Sequence, residues 1–154
     1  MSTSHPPNTG KADTVPFQTA LQVRDRCFCL HAQRAARALA RRFDRALMPV
    51  GLTNGQFSLL MSLNRPEPPN MAAVAALLAM DRTTLTALLK PLARRGLLQV
   101  LVDEADRRSR RLVLTAAGQK TLAAAMPVWA RENRRLETLF ADPARVRDDL
   151  DRLA

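Results

Sequence analysis

The run from Met80 to Gly118, MDRTTLTALLKPLARRGLLQVLVDEADRRSRRLVLTAAG, changes character repeatedly, and those changes set the architecture. Leu85, Leu88, Leu89 and Leu92 recur at i, i+3, i+4 and i+7, the spacing of one apolar helical face. The opposite face carries Arg82, Thr83, Thr86, Ala87 and Lys90, and no acid occurs from Arg82 to Arg95. Gly96 then follows Arg94 and Arg95, the order expected where a helix ends: cations oppose the free carbonyls and glycine takes the left-handed turn. Leu98 to Val102 and Arg111 to Leu114 are short β-rich runs, separated by Asp103-Glu104-Ala105-Asp106-Arg107-Arg108-Ser109-Arg110, which is too polar to bury. A further helix starts after Thr115. Pro91 sits awkwardly in the leucine helix. It removes one backbone bond, at a cost on the order of 3 kcal/mol in an ordinary helix, and predicts a kink between Ala87 and Lys90 or a tightened helix end.

Upstream, Asp81 caps the leucine helix. Asn70 caps a short helix from Met71 to Leu78, whose apolar side is Val74, Leu77 and Leu78, and Ala79-Met80 forms the turn between them. Thr53 and Gln56 have capping-box spacing ahead of an apolar helix from Phe57 to Leu63, and Arg65-Pro66-Glu67-Pro68-Pro69 is a rigid loop. Phe17 to Leu47 contains no Gly or Pro and is expected to form one long helix, with Arg34, Arg37, Arg41 and Arg45 as a cationic stripe. That stripe is either a solvated face or a surface for phosphate or an effector. Downstream, Thr115 caps a long helix to about Leu139, and Asp142-Pro143 restarts a last one carrying Val146, Leu150 and Leu153.

A short helix, a tight turn, an amphipathic helix with a polar outer face and then a hairpin make a winged helix-turn-helix. The expected fold is mainly α with a small β-hairpin wing. Residues 1–15 are expected to be a disordered arm and residues 16–154 a single domain. Within it, 49–115 would be the winged helix, and the N- and C-terminal helices at 17–48 and 116–154 would pair two copies of the chain, because they are longer than one small core needs.

The 154 residues carry a formal net charge of +10, with 47% apolar and 4% aromatic residues. This balance favours helix and an acidic partner, with nucleic acid ahead of membrane because no long apolar span exists. Almost all the cations are arginine, a bias that coding composition alone can produce. Cys27 and Cys29 are too few and too close for a disulfide framework, and a reduced, cytoplasmic setting fits. No secretory signal is recognisable at the N-terminus. There is no Gly-rich phosphate loop, metal cluster or nucleophile motif, so neither enzyme chemistry nor a cofactor is expected.

The major groove admits one helix whose side chains must reach base edges and phosphates. Arg82 suits phosphate or guanine. Thr83, Thr84 and Thr86 offer hydroxyls and methyls, Ala87 permits close approach, and Lys90 suits phosphate. On the wing, Arg107, Arg108 and Arg110 can enter the minor groove, with Asp106 holding one of them extended. Two alternatives stand beside this. These residues could simply coat a solvated helix and turn, or the outer face could bind protein.

Gly51-Leu52-Thr53, Asp81-Arg82-Thr83-Thr84-Leu85-Thr86, Leu92-Ala93-Arg94-Arg95-Gly96-Leu97, Asp103, Asp106-Arg107-Arg108 and Leu114-Thr115-Ala116-Ala117-Gly118 together resemble the MarR family of bacterial transcription regulators. The resemblance implies a homodimer whose winged helices meet the half-sites of a palindromic double-stranded operator. It also implies regulation, usually repression, relieved by a small, often aromatic effector or by thiol oxidation. It makes the face from Thr83 to Lys90 the recognition surface, Arg108 the wing arginine and Asp106 the acid that orients it. Family geometry would put an effector near His31, Arg34 and Phe43. Cys27-Phe28-Cys29-Leu30 is further similar to the hydroperoxide-sensing branch, which places Cys27 as a redox thiol. That branch holds its thiol with tyrosines and this chain has none, so packing by small apolar side chains is the competing reading. On a continuous helix Cys27 and Cys29 would point about 200° apart, which disfavours a disulfide between them. Cys27 with His31 falls short of a closed metal site.

Overall fold

The computed structural model describes residues 14–153; residues 1–13 of the expected arm lie outside them. The helices are α1 (Phe17–Arg26), α2 (Phe28–Leu47), α3 (Asn54–Leu63), α4 (Met71–Leu77), α5 (Arg82–Arg94), α6 (Ala116–Glu137) and α7 (Pro143–Asp151), with strands β1 (Leu98–Val102) and β2 (Arg110–Leu114) between α5 and α6. By internal contacts the chain divides into Met1–Arg37 and Ala38–Ala154. No single helix among the described residues is long and apolar enough to cross a membrane.

In the first unit, the single helix expected from Phe17 to Leu47 is broken at Cys27, which is extended at φ −77° and ψ 106°. The cysteine closes one helix and opens the next. Its N–H donates to the Val23 carbonyl at 2.9 Å, and its sulfur accepts the Leu30 N–H at 3.5 Å, in the manner of a side-chain cap. No side chain of α1 is buried, so packing does not hold the two pieces in one line. With Cys27 off the helix, the 200° separation from Cys29 no longer applies; both thiols are free.

The second unit is built around α3, which packs against α4, α5, α6 and β2. Its capping box is complete: Thr53 Oγ1 accepts the Gln56 N–H at 3.2 Å and Gln56 Oε1 accepts the Thr53 N–H at 3.1 Å. Phe57, Leu59, Leu60 and Leu63 of α3 meet Val74 of α4, the predicted Leu85, Leu89 and Leu92 face of α5, Leu112 of β2 and Leu122 of α6 in one core. Phe43 and Leu47 from the end of α2 join it. Glu132 of α6 is 7% exposed, and Arg42 reaches it at 3.2 Å and Arg135 at 2.7 Å. Burial pushes that carboxyl up, but the two guanidiniums outweigh it and hold it below the usual range.

Three caps fix the helix-turn-helix. Asn70 Oδ1 accepts the Ala73 N–H and Asp81 Oδ1 the Thr84 N–H, both at 2.8 Å. At the end of α4, Ala79 N–H bonds Ala76 O at 3.2 Å and Met80 N–H bonds Ala75 O at 2.9 Å, a paired closure that puts Ala79 in the left-handed region at φ 49°. The same closure ends α5. Gly96 (φ 68°) bonds Ala93 O at 2.9 Å and Leu97 bonds Leu92 O at 3.0 Å, while Leu92 and Leu97 are both buried. Of the two expectations for Pro91, the tightened end is present; α5 continues through the proline to Arg94. Helix α6 likewise continues through Pro127.

The hairpin pairs Leu98 with Leu114 and Val102 with Arg110 in antiparallel register. Leu98 is buried and the rest of β1 is exposed. Thr115 then caps α6, and Gly118 passes so close to the α5–β1 joint that a Cβ would overlap the Leu97 carbonyl oxygen and crowd Leu114 Cδ1. Gly118→Ala is therefore expected to cost about 3 kcal/mol or more of unfolding free energy, read by thermal or urea denaturation. Ala79→Gly, which relieves a left-handed alanine, should raise stability by up to about 1 kcal/mol in the same assay.

Candidate nucleic-acid interface

The outer face of α5 is exposed at Arg82, Thr83, Thr84, Ala87 and Lys90, and half-buried at Thr86. Its hydroxyls are not equivalent. Thr84 Oγ1 donates to Asp81 Oδ2 at 2.8 Å, and Thr86 Oγ1 donates to the Arg82 carbonyl at 2.7 Å. Each hydroxyl has one proton, so neither is free to donate to a phosphate, and what these residues present outward is methyl and oxygen. Thr83 Oγ1 has no such partner among the described residues. The Thr84 N–H, with its hydroxyl, holds the Asp81 carboxyl below the ordinary range, so the acid of the cap stays ionised at the helix N-terminus.

The wing is anchored from below. Asp103, 8% exposed, accepts the Ala105 N–H at 3.1 Å and Arg111 Nε at 2.6 Å. Arg111 Nη1 reaches on to the Pro68 carbonyl at 2.9 Å, and the Leu112 N–H bonds Pro69 O at 2.9 Å. Asn70 bridges to Arg111, so the proline loop lies along the free edge of β2. Proline has no N–H, and this edge uses only its carbonyls. Sequence reading missed Arg111 as an anchor and treated Arg65 to Pro69 as a plain loop. The available signal was an Asp just past the end of one strand and an Arg in the facing strand of the same hairpin.

At the tip, Asp106 was expected to orient an arginine side chain. Its Oδ1 instead accepts the backbone N–H of Arg108 at 2.9 Å, and the Ser109 N–H bonds the Asp106 carbonyl at 2.8 Å. The acid therefore shapes the turn rather than gripping a guanidinium. Arg110 Nη1 donates to the carbonyls of Arg107, at 2.9 Å, and Ser109, at 3.0 Å. Arg107 and Arg108 are exposed and have no side-chain hydrogen bond among the described residues. Arg82, Arg108 and Arg110 line one cleft of about 270 Å³ over Met71, Ala72, Ala75 and Leu85, so the start of α5 and the tip of the wing face the same space.

The three residues expected around an effector fall in different units, His31 and Arg34 in the first and Phe43 in the second. His31 and Arg34 are exposed, with His31 Nε2 3.3 Å from the Asp25 carbonyl oxygen, and Phe43 is packed in the core. A concave apolar surface lies within the second unit. A cleft of about 370 Å³ is lined by Phe57, Ser58, Met61, Ser62, Leu77, Leu78, Met126 and Trp129, with no ionisable side chain. The Phe57 and Trp129 rings stack at 6.5 Å and 22°.

Asp103 supplies a pH prediction. The Ala105 N–H, and after it Arg111, keep its carboxyl below the ordinary value near 3.9. A lowered folded value adds stability above the unfolded value and loses it as pH falls through the folded one. The wing anchor should thus be unchanged between pH 5 and 8 and come apart only below the ordinary carboxylate range, followed by the Asp103 carboxyl and Arg111 Nε NMR shifts.

A family model described as the MarR family matches residues 52–109, from the start of α3 through the wing tip. The chain is 38% identical over 78 residues to the transcriptional activatory protein BadR of Rhodopseudomonas palustris, a match over 49% of this chain and 45% of that protein. It spans about half the length of the curated relatives it matches. Among solved structures, the Mycobacterium tuberculosis transcriptional regulator MosR in complex with DNA is 40% identical with a TM-score of 0.77, covering 82% of this chain and 92% of MosR. The transcriptional repressor CouR, bound to a DNA duplex, is 32% identical with a TM-score of 0.69, covering 86% of this chain and 91% of CouR. With the helix-turn-helix, the anchored wing and likeness over nearly the full length of MosR, the chain belongs to the MarR family.

Proposed function

We propose that this chain is a dimeric, sequence-specific DNA-binding transcription regulator of the cytoplasm, a repressor released from its operator by a small aromatic ligand. The observation that carries the reading is the one cleft shared by Arg82 of α5 and Arg108 of the wing, beside an α5 face without a carboxylate. A helix in the major groove and an arginine in the adjacent minor groove would need that pairing. The candidate contacts are Arg82, Thr83, Ala87, Lys90, Arg107 and Arg108, with Thr84 and Thr86 contributing methyls. MosR and CouR are described as bound to DNA, and CouR as a repressor.

Dimerisation is supported by apolar side chains left without partners near both ends. Phe17 is 75% and Phe28 83% exposed, as are Leu139 at 66% and Leu153 at 69%, and α7 buries none of its residues. A second candidate effector seat, in addition to His31, Arg34 and Phe43, is the cleft at Phe57 and Trp129. Its size suits a small planar molecule, and its lining offers aromatic faces, thioethers and hydroxyls but no counter-charge.

Affinity for the operator should fall steeply with salt, and Arg108→Ala should cost about 1–3 kcal/mol of binding with relaxed specificity. A flat salt response together with tolerance of Arg108→Ala would instead identify a protein-binding winged helix. Phe28→Asp with Leu150→Asp should convert the dimer to monomer in sedimentation and abolish tight operator binding. Trp129 is the chain's one tryptophan, so a true effector should change its fluorescence at the concentration that releases DNA.

Peroxide release through Cys27 is the second reading. It is favoured by the sulfur's position as the acceptor at the start of α2, where oxidation would replace the cap. Operator binding by Cys27→Ser before and after peroxide decides it, and release that persists in the variant eliminates it.

A further inference from the structure

By sequence, Arg110 belongs with Arg107 and Arg108 as a cation for DNA. Its geometry separates it from them. One nitrogen of its guanidinium, Nη1, bridges the carbonyls of Arg107 and Ser109. These carbonyls belong to the peptide just before Arg108 and the peptide just after Ser109. The rest of the tip is held locally: the Arg108 N–H by Asp106 Oδ1, the Ser109 N–H by Asp106 O, and the Asp103 N–H by Ser109 O at 3.2 Å. Glycine, the usual aid to a tight turn, is absent from Asp103 to Arg110. The bridge from Arg110 therefore sets the peptide planes on either side of Arg108 and Ser109.

We propose that Arg110 is a positioning residue for DNA recognition. It locks the wing tip in the shape from which Arg108 projects, and makes no phosphate contact of its own. The inference rests on the DNA-binding reading above. Its logic is energetic. A charged donor shared by two carbonyls contributes more than a neutral bond, and a guanidinium committed in this way must give up part of that interaction to engage a phosphate. Arg107 and Arg108, with no protein partner among the described residues, need give up nothing.

The test uses the full-length protein and a palindromic duplex selected by the wild type from a random-sequence pool. Binding is measured over a salt series for wild type, Arg110→Ala, Arg108→Ala and the double variant, with thermal midpoints confirming that each is folded. Arg110→Ala should weaken binding roughly tenfold, with the slope of log affinity against log salt unchanged, because no counterion-releasing contact is lost. In the Arg108→Ala background the same change should cost no more than about twofold, because its effect passes through Arg108. A slope smaller by about 0.9, losses that multiply, or full affinity in Arg110→Ala each overturn the proposal. If the wild type selects no duplex, the DNA-binding reading falls and this role falls with it.

Discussion

The winged helix depends on one joint, where α6 crosses the end of α5. Thr115 Oγ1 donates to the Gly96 carbonyl at 2.6 Å, and Thr115 N–H bonds Leu97 O at 3.2 Å. The same hydroxyl oxygen accepts the Gly118 N–H at 3.1 Å, and Gly118 leaves the space that a side chain would take against Leu97. At this point α5 stops, β1 begins, β2 ends and α6 starts. Gly96 is needed because the chain reverses through a left-handed residue; Gly118 is needed because a helix must approach a carbonyl without a Cβ between them. Moving the joint would move the outer face of α5 and the hairpin together, so it sets their mutual placement before any DNA contact is made.

Three of the chain's 14 acids are committed to backbone or to structural arginines. Asp81 caps α5, Asp103 is tied to Arg111 under the wing, and Glu132 is enclosed by Arg42 and Arg135. Each of the three carboxyls is held below its ordinary value by the donors around it, so each is ionised wherever the fold is used. The net charge of +10 is therefore not spread evenly over function. Some arginines are structural, whereas Arg82, Lys90, Arg107 and Arg108 face solvent around the α5 face and wing tip. Composition alone could not separate the two kinds, because the distinction lies in which carbonyl or carboxylate each guanidinium meets.

Caps were legible in the sequence because a cap is a local event: Thr53 with Gln56, Asn70, Asp81 and Thr115 each bond a backbone group within three residues. The face of α5 was legible for the same reason, since period fixes which residues share a side. The break at Cys27 was not, because sulfur is a weak acceptor and ranks low among capping side chains, and periodicity cannot tell whether a helix with no buried face stays unbroken. Phe43 was placed near an effector by family geometry; the structure adds that its ring packs in the core with Leu47. The bonds of Arg110 to Arg107 and Ser109 were not legible, because they exist only once the tip has folded.

The geometry also bears on how an occupied cleft would reach DNA. Leu77 and Leu78 line it at the C-terminal end of α4, and Ala79 follows at φ 49°. Two residues later Asp81 caps α5. A ligand between Trp129 and Leu78 thus lies one tight turn away from the start of the recognition face, across a turn already in a conformation that alanine disfavours. The turn has little slack, because both its closing bonds and the Asp81 cap tie consecutive residues. Displacement of Leu78 must then appear either as movement of Arg82 or as a broken closing bond. A ligand can change operator affinity only by its own preference for one of the two arrangements, about 1.4 kcal/mol for each tenfold change. In a cleft without ionisable groups, that preference has to come from apolar contact and ring stacking with Phe57 and Trp129. Such contacts are most sensitive to shape, so discrimination between effectors would follow the outline of the molecule more than its charge.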